Sequence, residues 1–203
     1  MLGASLALLS GASGARAEAP DFTPPPPPAD APPSLAGELR GDVIIPVANE
    51  PLCPSGSPCL LRSGGGFGGS LELRWPRGLA LGVAYDAWFF NGRSVEELPS
   101  LQTFSVQLRH FFLATRELHP FLGGALGATL FGDRLRVDTG GVSLDAFLGL
   151  EAERSARVAF SGAGGVRVCG RAPYTARDGT QRAEDFLANA VLFLRFGLVL
   201  QRF

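Results

Sequence analysis

The last stretch of the chain, residues 185–203, alternates between apolar residues and polar or small ones. Its even positions from 192 to 200 are all leucine or phenylalanine, whereas its odd positions include Arg195, Gly197 and Gln201. Successive residues of a β-strand point to opposite faces, so this pattern predicts a strand with one apolar face. The three odd residues share no single stripe of an α-helix. The stretch is also long enough for a tilted strand of about 9–11 residues that crosses a bilayer.

The same alternation recurs from residue 35 onward. It predicts seven further strands, at residues 35–46, 66–75, 79–90, 101–113, 120–131, 141–153 and 157–169. The connections are alternately long and short, and the long ones fall at residues 47–63, 91–100, 132–140 and 170–184. Short turns at one end and longer outer loops at the other are typical of even-numbered membrane barrels. We therefore predict an all-β fold, a single eight-stranded antiparallel transmembrane β-barrel with up-and-down meander connections.

The composition supports a barrel and excludes several other classes. Charged residues make up 18% of the chain, below the roughly 25% of ordinary soluble domains. The formal net charge of −1 gives neither a nucleic-acid footprint nor a polybasic membrane patch. No segment has the ~18 consecutive apolar residues of a membrane-spanning helix. A glycine-rich chain of low charge without such a segment has the bulk composition of a transmembrane β-barrel.

The first 34 residues precede the alternating pattern. An apolar run, Leu2–Leu9, is followed by Ala15-Arg16-Ala17, which has the small-x-small form of a signal-peptidase site. We therefore predict a signal peptide over residues 1–17. Residues 18–34 contain the consecutive prolines Pro24–Pro28. Because proline fixes φ and donates no backbone hydrogen bond, we expect a disordered periplasmic linker there. The barrel takes residues 35–203.

Alternation alone does not say which strand face is inside. A soluble barrel of the lipocalin type would bury the apolar set and expose the other. That other set is mainly glycine, alanine, serine and threonine with scattered charges, too poor in charge for a surface in water. We therefore expect leucine, valine and phenylalanine to face lipid, and the small and charged residues to fill the narrow interior of an eight-stranded barrel.

The predicted inward set contains charged residues that need partners, because isolated buried charges are very costly. We predict an interior polar network made of Glu38, Arg40, Asp42, Glu72, Arg74, Asp86, Gln107, Arg109, Asp145, Glu151, Arg167 and Arg195. Since the last strand closes against the first, Arg195 is expected to meet Glu38 or Asp42. The network predicts a plugged interior, and the alternatives are a narrow pore or a conduit for small hydrophobic solutes.

Catalytic and metal-binding patterns are weak. His110 is the best candidate base, but its position belongs to the lipid-facing set, and residue 112 is Phe where a lipid-A deacylase would need serine. His119 falls in a predicted turn. We expect no enzyme, no cofactor and no metal site, and keep a lipid-modifying hydrolase as an alternative. Cys53 and Cys59 flank a short loop segment, and an exported location favours a disulfide between them, with Cys169 left over.

The alternation, the loop asymmetry and the terminal Phe203 together resemble the small outer-membrane barrels of Gram-negative bacteria, the OmpA/OmpX-like membrane domains. The resemblance covers roughly residues 35–203 and implies a monomer in the cell outer membrane. It also implies contact with membrane lipid and lipopolysaccharide, and outer loops that bind surface ligands. Phe203 would be part of the signal read by the outer-membrane assembly machinery. Gln201 departs from that signal, and a β-bulge near it would restore the phase; otherwise Phe203 points inward or lies below the membrane.

Overall fold

The computed structural model describes residues 32–48, 62–91, 98–112, 118–175 and 187–202. Within these ranges the chain forms eight β-strands. They are β1 (Ser34–Ala48), β2 (Gly64–Arg74), β3 (Leu79–Phe90), β4 (Pro99–Phe111), β5 (Leu118–Asp133), β6 (Arg136–Ser155), β7 (Val158–Arg171) and β8 (Leu187–Arg202). Among these residues no helix has the length and apolar character to cross a membrane.

Each strand pairs in the antiparallel sense with the next one, and β8 pairs with β1 to close the barrel. The closing ladder runs from Leu35 opposite Arg202 to Ala48 opposite Ala190. Closure pairs the two edge strands with each other, so the sheet has no free edge along this ladder. The predicted eight-stranded antiparallel meander is confirmed.

The two ends of the barrel differ. One end carries the start of β1, the end of β8 and short turns, and we call it the turn end; the opposite end is the loop end. At the turn end, β2 and β3 are joined through Gly78, whose φ of 78° lies in the left-handed region that favours glycine. A Cβ atom at this position would lie 2.5 Å from the carbonyl oxygen of Phe111. This short turn therefore needs its glycine for two reasons.

The connection between β5 and β6 corrects one prediction. Residues 132–140 were expected to form a polar loop, but β5 continues to Asp133 and β6 begins at Arg136. A two-residue turn joins them, with Arg134 and Leu135 both at positive φ, 50° and 66°. Strand pairing extends through these polar residues after a register shift at Phe131 and Gly132. The turn has the positive φ values of a type I′ hairpin without the usual Asn-Gly sequence, which explains why the pattern concealed it.

The pairing of β8 also shows which face of the barrel its last residues are on. The ladder with β1 is continuous from Val191 to Arg202, so the bulge considered near Gln201 is absent. The side chain of Gln201 instead lies inside the barrel, where it donates a hydrogen bond to Glu151. Phe203 lies outside the described residues.

The apolar faces of all eight strands point away from the barrel axis. Leu39 is 67% exposed and Leu126 is 65% exposed, whereas Arg167 and Asp86 on the opposite faces are 0% exposed. Soluble monomers rarely expose a contiguous apolar patch above about 300–600 Å². A band of leucine, valine and phenylalanine around the whole barrel therefore indicates that lipid, and not water, surrounds it.

Candidate functional site

The barrel interior holds every polar residue of the predicted network. All of them are buried except Arg74, whose side chain is 12% exposed near the turn end. They form three neighbouring groups, each centred on carboxylates that accept hydrogen bonds from arginine. Strand parity accounts for this placement, because these residues alternate with the exposed apolar ones along each strand.

The group nearest the turn end is centred on Glu151. Arg74 from β2 crosses the interior and donates two hydrogen bonds to this carboxylate on β6, at 2.7 and 2.9 Å. Gln201 donates a third, at 3.1 Å. Arg74 also contacts Glu72 at 3.3 Å and lies over the ring of Phe111, 4.8 Å from its centroid. A guanidinium that donates two hydrogen bonds to one carboxylate makes the strongest ionic contact available to these side chains.

The middle group is centred on Glu38. Arg109 of β4 reaches across to this β1 carboxylate at 2.6 Å, and its Nε atom lies 3.0 Å from Glu72. Ser161 of β7 and Ser70 of β2 donate further hydrogen bonds to Glu38. The carboxylate thus contacts residues of three other strands, two of which are not neighbours of β1.

The group nearest the loop end is centred on Asp86, which contacts three arginines. Arg40 donates two hydrogen bonds to it, at 3.0 and 2.7 Å, and Arg167 from β7 donates one at 2.7 Å. Arg195 lies 3.4 Å away. Arg167 at the same time holds Asp145, its direct partner on β6, through hydrogen bonds of 2.8 and 2.6 Å.

Arg195 meets Asp42 and not Glu38, the other partner that was considered. The two residues face each other across the closing ladder, and Nε of Arg195 donates to Asp42 at 2.9 Å. The indole of Trp88 donates to the second oxygen of the same carboxylate at 2.7 Å. The closing ladder therefore carries an ion pair as well as backbone hydrogen bonds.

Aromatic rings separate and cover the arginines. Trp88 and Phe193 lie in ring contact at 5.8 Å, and further contacts join Phe193 to Phe147 and Phe147 to Phe121. The shortest stacking is that of Arg167 over Trp88, at 4.1 Å from the ring centroid. Arginine stacks on aromatic faces while its planar fork binds carboxylates, which suits it better than lysine to this crowded interior. Every basic residue of the chain is arginine.

Sequence reasoning missed several members of this interior. Trp88, Ser161 and Phe193 were not singled out, although each shares the strand face of a predicted member, such as Asp86 for Trp88 and Arg195 for Phe193. Parity was the signal that could have found them. What parity could not indicate is which of these inner rings contact each other across the barrel.

Small inward residues make room for the long ones. Gly197 of β8 is an example, because a Cβ atom there would lie 2.5 Å from Oγ of Ser161 and 2.6 Å from Oε1 of Glu38. The interior of a small barrel is filled by alternating small and large side chains. Glycine at 197 therefore leaves the space that the Glu38 carboxylate occupies.

Charge in the predicted network is nearly balanced, with six carboxylates and five guanidinium groups. Each of the six carboxylates has at least one arginine nitrogen within 3.0 Å. Removing two charges from water is tolerable only when such pairing and extra hydrogen bonds compensate. The arrangement is thus a complete ionic network rather than a set of isolated charges.

The candidate catalytic residues lie apart from this network. His110 is exposed on the lipid-facing side, where its ring makes an edge contact with Phe112 at 5.2 Å. His119 lies 3.2 Å from the half-exposed Glu153 at the turn end. Within the described ranges no group of three or more histidine, cysteine, aspartate or glutamate residues could hold a metal ion. Cys169 is a buried free thiol, and Cys53 and Cys59 lie outside the described residues.

Solved structures of low sequence identity share this architecture. Neisserial surface protein A (NspA) matches with a TM-score of 0.58 at 13% identity, over 82% of this chain and 96% of that one. The outer membrane protein OprG from Pseudomonas aeruginosa matches with a TM-score of 0.53 at 10% identity, over 85% of this chain and 96% of that one. The fold is that of the small outer-membrane β-barrels. The predicted resemblance is confirmed at the level of the fold.

The likeness to these solved structures is one of three-dimensional arrangement. No protein-family profile matches the chain, and no curated protein sequence matches it. Strand alternation can be satisfied by many sequences, because leucine, valine and phenylalanine are interchangeable on a lipid-facing surface. Identities near 10% within this fold are therefore physically reasonable.

Proposed function

We propose that this chain is an outer-membrane barrel with a plugged interior, and that it acts as a structural anchor for surface recognition at its loop end. The lipid-facing apolar band and the small-barrel fold support this location. In it, the short turns lie in the periplasm and the longer loops face the cell exterior, as in barrels of this type.

The observation that carries the plug is that ion pairs join strands on opposite sides of the interior. Arg74 of β2 contacts Glu151 of β6, Arg109 of β4 contacts Glu38 of β1, and Arg167 of β7 contacts Asp86 of β3, all at 2.6–2.7 Å. An eight-stranded barrel is only just wide enough for side chains to fill. An ion on its way through would have to break these buried pairs, which favours a closed interior over the narrow pore or the solute conduit.

The recognising part of the molecule would be its outer end. The β5–β6 hairpin provides a fixed element there, since Leu98 N donates to the carboxylate of Asp133 and Leu135 N donates to Oγ of Ser100. We propose that this hairpin and the long connections beside it bind a surface ligand. We further propose contact with lipopolysaccharide and other outer-membrane lipid, delivery by the assembly machinery, and a monomeric state.

A non-enzymatic role is part of the proposal. A hydrolase would pair a nucleophile with a base inside a water-accessible site. In the part of the chain that the structure describes, the ring contact of His110 is with Phe112 and the ionic contact of His119 is with Glu153. Neither arrangement favours the lipid-modifying hydrolase.

Single-channel recording in planar bilayers tests the plug. We expect no steady conductance from the purified full-length protein. The matched variant replaces both Glu38 and Arg109 by alanine, which removes one cross-strand pair without leaving a lone charge, and we expect it to conduct transiently or steadily. Steady conductance of the unaltered protein would contradict a plugged interior and promote the narrow pore.

A further inference from the structure

The lipid-facing surface of β6, β7 and β8 contains a depression. Its floor is formed by Gly162 and Gly164 of β7, and its volume is about 670 Å³. Its walls are Leu148 and Leu150 of β6 with Leu194 and Phe196 of β8. A Cβ atom built on Gly162 meets no atom within 4 Å, so the floor opens directly to the outside. The depression falls within the roughly 300–1,000 Å³ of small-molecule sites, and its walls are apolar.

Two cationic side chains lie at the turn end of the same strands. Arg154 and Arg157 are exposed, and neither guanidinium has an ion-pair partner among the described residues. Arg157 immediately precedes β7. Gly162 follows it by five residues, a distance of roughly 16 Å along the strand at about 3.3 Å per residue. About half of the ~30 Å hydrocarbon core corresponds to one leaflet. The depression therefore lies at acyl-chain depth in the leaflet whose head groups would reach these arginines.

The carboxylate next to Arg154 in sequence contacts β5. Glu153 precedes Arg154, but its carboxylate is 3.2 Å from His119. The pairing of β6 with β7 shifts register between Glu153 and Ser155, and Arg154 and Arg157 are both exposed where these two strands are joined. Two exposed arginines thus lie at the turn that joins two of the strands forming this apolar depression.

We propose that this face of the barrel binds one anionic phospholipid, with its phosphate between Arg154 and Arg157 and one acyl chain in the depression over Gly162 and Gly164. The inference rests on the membrane placement proposed above. Guanidinium groups bind phosphate oxygens through paired hydrogen bonds, and the lipid tail matches the apolar walls. The bound lipid would belong to the leaflet at the turn end.

The barrel supplies a matched control on its opposite side. Arg77 is an exposed arginine in the β2–β3 turn at the same end, and β2–β3 lie opposite β6–β7 in an eight-stranded ring. The test is native mass spectrometry of the full-length protein released from detergent, titrated with phosphatidylglycerol or with phosphatidylcholine. The variants are the double substitution Arg154→Gln and Arg157→Gln, the depression-filling Gly162→Leu, and the control Arg77→Gln.

We expect one phosphatidylglycerol to bind at lower concentration than phosphatidylcholine. The double arginine variant should need about tenfold more phosphatidylglycerol, the effect of losing charge-assisted hydrogen bonds. Gly162→Leu should weaken the binding of both lipids, and Arg77→Gln should change neither. Equal binding of the two lipids, or an equal loss in Arg77→Gln, would overturn the proposal. A barrel that inserts into bilayers yet shows no preference refutes the lipid site alone, whereas failure to insert refutes the membrane placement as well.

Discussion

Replacing Arg167 by methionine should destabilise the barrel more than any other single charge removal in the group around Asp86. This guanidinium is 0% exposed and bridges Asp86, Asp145 and the hydroxyl of Thr103. Asp86 would keep Arg40 and Arg195, but Asp145 has Arg167 as its arginine partner. Methionine matches the unbranched stem of arginine but lacks the guanidinium, so the change removes the charge and the hydrogen bonds and leaves only a small void.

The expected cost follows from these contacts. Removing one partner of a buried ion pair costs about 3–5 kcal/mol, because the other charge is left uncompensated. Loss of the stacking of Arg167 over Trp88 contributes in the same direction. If the orphaned carboxylate is the main cause, the double variant Arg167→Met with Asp145→Leu should recover most of the loss, since apolar replacement of a whole buried pair is often close to neutral.

Equilibrium unfolding by urea in phospholipid vesicles, followed by far-ultraviolet circular dichroism, measures this. Circular dichroism is preferable to tryptophan fluorescence because Trp88 is itself in contact with Arg167. The midpoint should fall while the slope is unchanged, and the slope multiplied by the shift in the midpoint gives the change in the free energy of unfolding. A loss below about 1 kcal/mol for Arg167→Met, or simple additivity in the double variant, would refute the reasoning.

Four other substitutions test the two faces and the packing. Leu144→Arg, at a position 61% exposed to lipid, should cost about 2–4 kcal/mol in vesicle unfolding; no cost would mean that water and not lipid covers this face. Gly197→Val should cost about 1–3 kcal/mol by crowding Glu38, while Gly162→Val, with open space around it, should be neutral in the same assay; equal effects would contradict the filled interior. Arg109→Lys should lower the free energy of unfolding by about 1.5–3 kcal/mol, because one ammonium group cannot hold both Glu38 and Glu72; a stability equal to that of the unaltered protein would show that the two contacts are not needed together.

Much of the architecture follows from sequence because a strand has a two-residue period. Alternation places Leu192 and Leu194 on one face of β8 and Arg195 on the other, whatever the rest of the chain does. Counting such segments gave eight strands, and the short turns at Gly78 and Ala156 follow from local composition. The β5–β6 hairpin was the exception, because pairing beyond Phe131 depends on a register shift that no local pattern reveals.

The sequence could predict the partner of a buried charge only where the two residues lie on neighbouring strands. Because β8 closes on β1, the expected partners of Arg195 were Glu38 and Asp42. The register of the closing ladder places Arg195 opposite Asp42. The pair between Arg167 and Asp86 joins β7 to β3, which are far apart in the ladder order. Such contacts depend on the tilt and stagger with which the barrel closes, and alternation contains no information about either.

The sequence by itself therefore determined which residues share a strand face, how many strands there are, and that each strand has an apolar side. The low charge of the other face also indicated which side faces the membrane. Tertiary structure decided which arginine meets which carboxylate, and how rings such as Trp88 pack in the interior. The physical reason is that strand periodicity is local to a few residues, whereas the inside of a barrel exists only after the first and last strands have paired.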